Sequence, residues 1–354
     1  MFRMDFYHET RDDSAPFRRA YLESVEAYLD RRNEECEDVR REHGEWILSH
    51  RDEARKELIR MLGRPLTEKR PAGIPAAKKT LLSHGNGVTV YRMEIEVMEG
   101  IPFYGILFVR DGGKRLPLII AQHGGEGSPE FASDFFADGS ANYNHMTERI
   151  LQENVNVFAP QLLLWDPKYF SAVSKKYPNH PHDQRQDFDA AFKQMGGSMA
   201  AFELLCLSRC IDYFEVQDYV DPEKIGMIGL SYGGFYTLFL TAIDTRIRAA
   251  ICSCYFSSKE LSSWYDFVFP DASEKFLDAE IALLISPRKL YIESGKDDPI
   301  FTYRDAEKEI ARLAGYFGGK LPDNIVYLPF EGVHEFSPDD APIHALVKNL
   351  NQNR

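Results

Sequence analysis

The residues in this chain best suited to bond-making chemistry are a serine, a histidine and an aspartate, each placed just after an apolar run. Ser231 lies in Gly229-Leu230-Ser231-Tyr232-Gly233-Gly234, a G-x-S-x-G pattern. The pattern is short, but its context sharpens it. KIGMIGL (224–230) reads as a buried strand and FYTLFLTAID (235–244) as a helix. A serine on so tight a strand-to-helix turn is held in strained backbone with its hydroxyl exposed. The plainer alternative is a glycine-rich junction carrying an idle serine. Since a hydroxyl is a poor nucleophile until a base takes its proton, the chain must also supply a histidine and a group to orient it.

With a nucleophile on such a turn, the acid and then the histidine follow, each on a loop after a strand. GKDDPIF (295–301) follows the strand KLYIE, and GVHEF (332–336) follows the strand NIVYLPF. His334 is therefore the candidate base. Asp298 and Asp297 both suit the acid position, and spacing alone does not separate them. A solvated turn before Pro299 is the bland reading of that pair. His123-Gly124-Gly125-Glu126-Gly127 follows the apolar strand LPLIIAQ (116–122). Its glycines would let the backbone N–H groups of Gly124 and Gly125 point at a developing oxyanion, joined by the N–H of Tyr232. His123 reads as a brace for this loop.

The elements that must position these residues alternate between strand and helix. Met93, Ile95 and Val97 alternate with charged residues, and Glu99-Gly100 turns the chain into Phe103–Val109, an antiparallel hairpin. After it come strands at 116–122, 155–160, 224–230, 247–255, 289–295 and 324–330, with helices at 198–217 and 235–244. This rhythm implies right-handed βαβ crossovers and a mostly parallel sheet flanked by helices, hence an α/β fold. Residues 16–62 read as a helical extension. Phe17, Tyr21, Leu22, Val25, Tyr28 and Leu29 share one face, expected to pack on the main domain or on a second subunit as a homo-oligomer. Residues 64–87 read as a Pro/Gly-rich connector. The expected domains are thus 1–87, extension and connector, and 88–354, catalytic. Insertions at about 161–197 and 256–287 leave the carboxyl ends of strands, where open α/β sheets bind ligands. Glu126 beside the first glycine loop, with Trp165, Trp264 and Tyr265 in the insertions, are the substrate-binding candidates.

Composition narrows the function classes. The chain has 354 residues and a formal net charge of −13, with no basic stripe, so nucleic acid is an unsuited partner. No apolar run reaches the ~18 residues a membrane span needs. The polar, acidic start MFRMDFYHETRDD lacks the basic and apolar regions of a secretory signal, so the expected location is cytoplasmic. Five cysteines without CxxC-like pairs read as buried thiols, not a disulfide framework or metal site. His180-Pro181-His182-Asp183 reads as loop before metal site, and no cofactor is expected.

From about Leu116 to the end the chain resembles the dienelactone-hydrolase and acetyl-xylan-esterase branch of the α/β-hydrolases. The stretches that carry the resemblance are QHGGEG, VDPEKIGMIGLSYGG, TAIDTRIRAA, SPRKLYIESGKDDPIF and FEGVHEF. The helices ending in RMLGRPL are similar to those preceding the core in bacterial acetyl-xylan-esterase-like proteins. The resemblance implies an α/β-hydrolase fold and a triad acid three residues after the glycine of the acid loop, which is Asp298. It also implies oxyanion donors at Tyr232 and in the His123-Gly124-Gly125 turn, and no metal. The expected activity is hydrolysis of short acyl esters, such as acetyl groups on a carbohydrate, through an acyl-enzyme. Two other readings share these residues. A prolyl-oligopeptidase-like peptidase would need a gate for which the first ~115 residues have neither room nor repeats. A non-catalytic binding protein usually loses a triad member, whereas all three are present.

Overall fold

Helical and strand periodicities in the sequence become two N-terminal helices followed by a single mixed sheet. The computed structural model describes residues 8–136, 141–165, 174–176 and 184–352. Helices α1 (Ala15–Ile47) and α2 (Arg51–Leu62) come first. Strands β1 (Ala77–Gly85), β2 (Val88–Met98), β3 (Ile101–Arg110) and β4 (Leu116–Gln122) follow, then α3 (Pro129–Ala132), α4 (Met146–Gln152) and β5 (Asn156–Pro160). Next are α5 (Gln184–Gln194), α6 (Met199–Phe214), β6 (Val220–Leu230), α7 (Tyr232–Ile243) and β7 (Ile247–Ser253). The chain ends with α8 (Ala272–Lys275), α9 (Asp278–Ile285), β8 (Lys289–Gly295), α10 (Tyr303–Gly315), β9 (Ile325–Phe330) and α11 (Ala341–Asn351).

Among the described residues the strands form one nine-stranded sheet in the order β1-β2-β3-β5-β4-β6-β7-β8-β9. β1, β2 and β3 pair antiparallel, and β3 meets β5 antiparallel. From β5 across to β9 all pairing is parallel. The central strands are buried on both faces, which is why they read as continuous apolar runs. One face is covered by α2, α6, α7 and α9, with Leu58, Phe214, Phe235 and Leu283 in its core. The other is covered by α4 and α11, with Met146, Ile150, Leu346 and Leu350.

Three features differ from the expectations or add to them. Residues 77–85, read as connector, form the edge strand β1, so the sheet reaches back across the expected boundary at 87. The strand is almost wholly exposed and rich in lysine, so it carries no buried alternation to reveal it; such residues suit an unpaired edge. Among the described residues the stripe Phe17, Tyr21, Leu22, Val25, Tyr28 and Leu29 has no covering partner, with Phe17 76% and Tyr21 74% exposed. Only the C-terminal half of α1 is docked. There the buried Arg40 reaches Glu260 at 3.1 Å, and Gly44 lies so close to the Tyr316 ring that a Cβ would meet it at 2.3 Å. The insertions also contain helices, α5 in the first and α8 and α9 in the second.

Leu58 on α2 is fully buried while Leu22 is 58% exposed. Leu58→Ala should therefore cost about 2–5 kcal/mol of unfolding free energy in urea titration. Leu22→Gln should change it by less than about 0.5 kcal/mol.

Candidate active site

β6 delivers Ser231 from the centre of the sheet, and α7 starts at the next residue. Ser231 has φ 60° and ψ −121°, a conformation a non-glycine residue holds only when its surroundings enforce it. The enforcement is close backbone packing. A Cβ on Gly229 would lie 2.2 Å from the Gly233 carbonyl oxygen, and one on Gly233 would lie 2.2 Å from that of Gln122. The Ser231 N–H donates to the Ser253 carbonyl at 2.9 Å, and Tyr232 opens α7, where backbone N–H groups have no partner within the helix.

Asp298 and His334 meet on the loops after β8 and β9. His334 Nδ1 is 2.8 Å from Asp298 Oδ2. The other carboxylate oxygen, Oδ1, accepts the N–H groups of Ile300 at 2.8 Å and Phe301 at 3.0 Å. Burial alone would raise the Asp298 pKa, but His334 and these two N–H groups outweigh it and hold the carboxyl below its ordinary value. Asp297 points to solvent, its N–H bound to the Gly332 carbonyl. The two loops press together, since a Cβ on Gly295 would fall 2.2 Å from the Val333 carbonyl oxygen. Cys254 follows Ser253, whose carbonyl accepts the Ser231 N–H, and its Sγ lies within 4.8 Å of ligand atoms of both Asp298 and His334.

The His123-Gly124-Gly125 turn lies against the serine, for a Cβ on Gly124 would be 3.2 Å from Ser231 Cβ. Here the two glycines divide. The Gly124 N–H already donates to the Tyr143 hydroxyl at 2.8 Å, whereas Gly125 is exposed and faces the Tyr232 ring. His123 is fully buried. Its Nδ1 bonds the Gly124 carbonyl at 2.7 Å and its Nε2 accepts the Leu162 N–H at 3.0 Å. Burial lowers its pKa to about 4, so the ring is neutral and braces the turn.

Of the substrate candidates, Glu126 is exposed and forms a bridge with Trp165 beside the turn. Trp264, 39% exposed, stacks on Phe267 with centroids 5.3 Å apart and lies 5.8 Å from Phe301, which is 5.7 Å from His334. Tyr265 is tied back through its carbonyl to Lys193 at 2.6 Å. Among the described residues, two groups of side chains bring three ligand-type atoms within 4.8 Å: Cys254 with Asp298 and His334, and Asp134 with His145 and Glu148. In the first, the imidazole and carboxylate already engage each other. His180, His182 and Asp183 lie outside the described residues.

Several supporting residues left no sequence signal. Asn144 Nδ2 donates to Glu335 Oε2 at 2.8 Å and to the Phe336 carbonyl at 2.7 Å, so the segment bearing Tyr143 holds both the glycine turn and the His334 loop. Glu293, at the end of β8, is a buried carboxyl without a well-formed hydrogen bond, although Ser253 and the Ser337 N–H lie near it. Burial pushes its pKa up to about 7 from an ordinary 4.5. Below the ordinary value both folded and unfolded chains carry the proton. Between it and about 7 only the unfolded chain ionises, so this group makes stability fall as pH rises through that window. Glu293→Gln should abolish that fall. Its stability relative to the parent should rise by on the order of 2 kcal/mol between about pH 4.5 and pH 8, measured by denaturant titration at both pH values.

No family model matches the chain. The Bacillus subtilis (strain 168) protein YtaP, described as a hydrolase, is 23% identical over 283 residues, covering 76% of this chain and 89% of YtaP. The glucuronoyl esterase from Solibacter usitatus superposes with a TM-score of 0.60 at 15% identity, over 84% of this chain and 92% of that one. Acetyl xylan esterase 1 from Thermoanaerobacterium sp. JW/SL YS485 superposes with a TM-score of 0.51 at 14% identity, over 85% and 94%. At these identities the likeness is one of architecture. Together with the parallel strand order around β6 and the serine turn it ends in, it shows that the chain has the α/β-hydrolase fold.

Proposed function

We propose that this protein is a serine-dependent carboxylic ester hydrolase that works through an acyl-enzyme, on short acyl esters of the acetyl type carried by a carbohydrate. The observation that carries the reading is the hydrogen bond between His334 Nδ1 and buried Asp298, on loops that leave the same end of the parallel strands as a serine in strained backbone. Ser231 Oγ attacks the ester carbonyl while His334 Nε2 takes its proton. Asp298 keeps the other ring nitrogen protonated and stabilises the imidazolium. The N–H groups of Tyr232 and Gly125 receive the oxyanion, with the N-terminal dipole of α7 behind them. His334 then protonates the departing alcohol, and water repeats the sequence to release the acid. The exposed face of Trp264, continued by Phe301 toward His334, suits a sugar ring or a small acyl group. The names of the esterase neighbours share the carbohydrate ester, and one of them, an acetyl xylan esterase, also the acetyl group.

Hydrolysis of p-nitrophenyl acetate, butyrate and octanoate tests the reading. Ser231→Ala should lower kcat by roughly a thousandfold or more, and Asp298→Asn by about 10³–10⁴ through loss of the correct tautomer. Acetate should be the best substrate. Absence of turnover of every ester by the parent protein would reject the assignment.

A further inference from the structure

A cluster of buried charge is joined to both peptides proposed to bind the oxyanion. Arg185 on α5, Glu203 on α6 and Asp266 in the loop after β7 are all nearly inaccessible, at 6%, 1% and 1% exposure. Arg185 Nε is 2.6 Å from Asp266 Oδ2, and its Nη1 is 2.7 Å from Glu203 Oε2. Its Nη2 donates to the Tyr236 hydroxyl at 2.5 Å, and that hydroxyl in turn donates to Glu203. Among the described residues, one cation thus faces two carboxylates in a buried environment. Such an arrangement is weak as a source of stability, because a well-packed apolar cluster would serve as well. Its geometry suggests another use.

Two arms leave the cluster, and each ends on one candidate oxyanion donor. On the first, the Asp266 oxygen not used by Arg185 Nε accepts the Tyr232 hydroxyl at 3.1 Å, while the guanidinium lies 5.5 Å from the Tyr232 ring centroid. The ring is thus fixed through its hydroxyl, and with it the peptide that follows Ser231. On the second, Glu203 Oε1 accepts the Leu163 N–H at 2.6 Å. The preceding residue, Leu162, donates to His123 Nε2, and His123 holds the Gly124 carbonyl at the start of the turn that presents Gly125.

We propose that Arg185 is a positioning residue for the oxyanion hole, clamping Asp266 and Glu203 so that the Tyr232 and Gly125 peptides are held at a set separation. This rests on the ester-hydrolase reading. It assigns a role in that reaction to residues in both insertions, none of which touches the reacting atoms. An oxyanion hole stabilises the transition state only if its donors are in place before charge develops. Loosening the clamp therefore lowers kcat and leaves ground-state binding, and so KM, nearly unchanged.

The test uses the full chain with Tyr232→Phe, Asp266→Asn, their combination and Arg185→Lys. Tyr232→Phe removes one hydroxyl, and Asp266→Asn leaves Arg185 and Glu203 as a balanced pair, so both variants should fold. The readouts are kcat and KM for p-nitrophenyl acetate, melting temperature, and the rate at which a fluorophosphonate labels Ser231. The last step, like acylation, places a charged oxygen in the hole. Each single variant should lose roughly tenfold in kcat and in labelling rate, with KM within about a factor of two. The combined variant should lose no more than the worse of its parents, since both cut the same arm. Arg185→Lys, which keeps the charge but not the fork, should fall in kcat in the same way. Unchanged kcat and labelling with only a lowered melting temperature would make the cluster structural and overturn the proposal. So would multiplicative losses in the combined variant. A parent protein that neither hydrolyses esters nor takes the label would instead bring down the hydrolase reading, and this proposal with it.

Discussion

The carbonyl oxygen of Gln122 occupies the space that a side chain on Gly233 would need, and most of the site follows from that one close approach. It lets the first turn of α7 sit directly on the end of β4, which leaves the chain no room for a gradual exit from β6. The reversal falls on Ser231, whose positive φ is the result. The same approach brings the turn after β4 against the serine, so nucleophile and glycine turn are two sides of one contact. An extra methyl group at Gly229 or Gly233 would undo both together.

Around this contact the parallel half of the sheet acts as a common origin. β4, β6, β7, β8 and β9 all end at the same edge, and each contributes one part: the glycine turn, the serine, the Ser253 carbonyl and Cys254, the aspartate, and the histidine. Polar groups bind these loops to one another where apolar packing alone would leave them free to slide. Asp298 accepts two backbone N–H groups besides facing His334, and Asn144 joins the histidine loop to the segment that bonds Gly124. Charged partners satisfied on every side hold orientation well, which fits a site whose geometry must precede the reaction.

How much of this was legible in the sequence depends on whether a feature leaves a local pattern. The central strands did, because burial on both faces makes runs such as LPLIIAQ and IRAAICS continuous and apolar. Chain order and spacing then pointed to Ser231, Asp298 and His334, with family resemblance needed to favour Asp298 over its neighbour. β1 was not legible because its residues face water on both sides. α9, DAEIALLI, is buried all round and so has no polar face to mark a helical period. The stripe at Phe17–Leu29 has the right period yet covers nothing among the described residues, since periodicity states that a face is apolar and not what meets it. Tyr143, Arg185, Glu203 and Asp266 were missed for a deeper reason: their partners are distant in sequence, and pairings of that kind have no signature until the chain is folded.

His334 follows β9, the outermost parallel strand, whereas Ser231 follows β6 in the middle of the sheet. The proposed nucleophile thus leaves a strand paired on both sides, while its proposed base depends on a strand that, among the described residues, is paired on one side only. Fraying of that border would disarm the site while the rest of the sheet stayed intact, a partial opening far cheaper than global unfolding. Slow amide exchange along Ile325–Phe330 is accordingly a physical measure of how long the assembled centre persists between such openings.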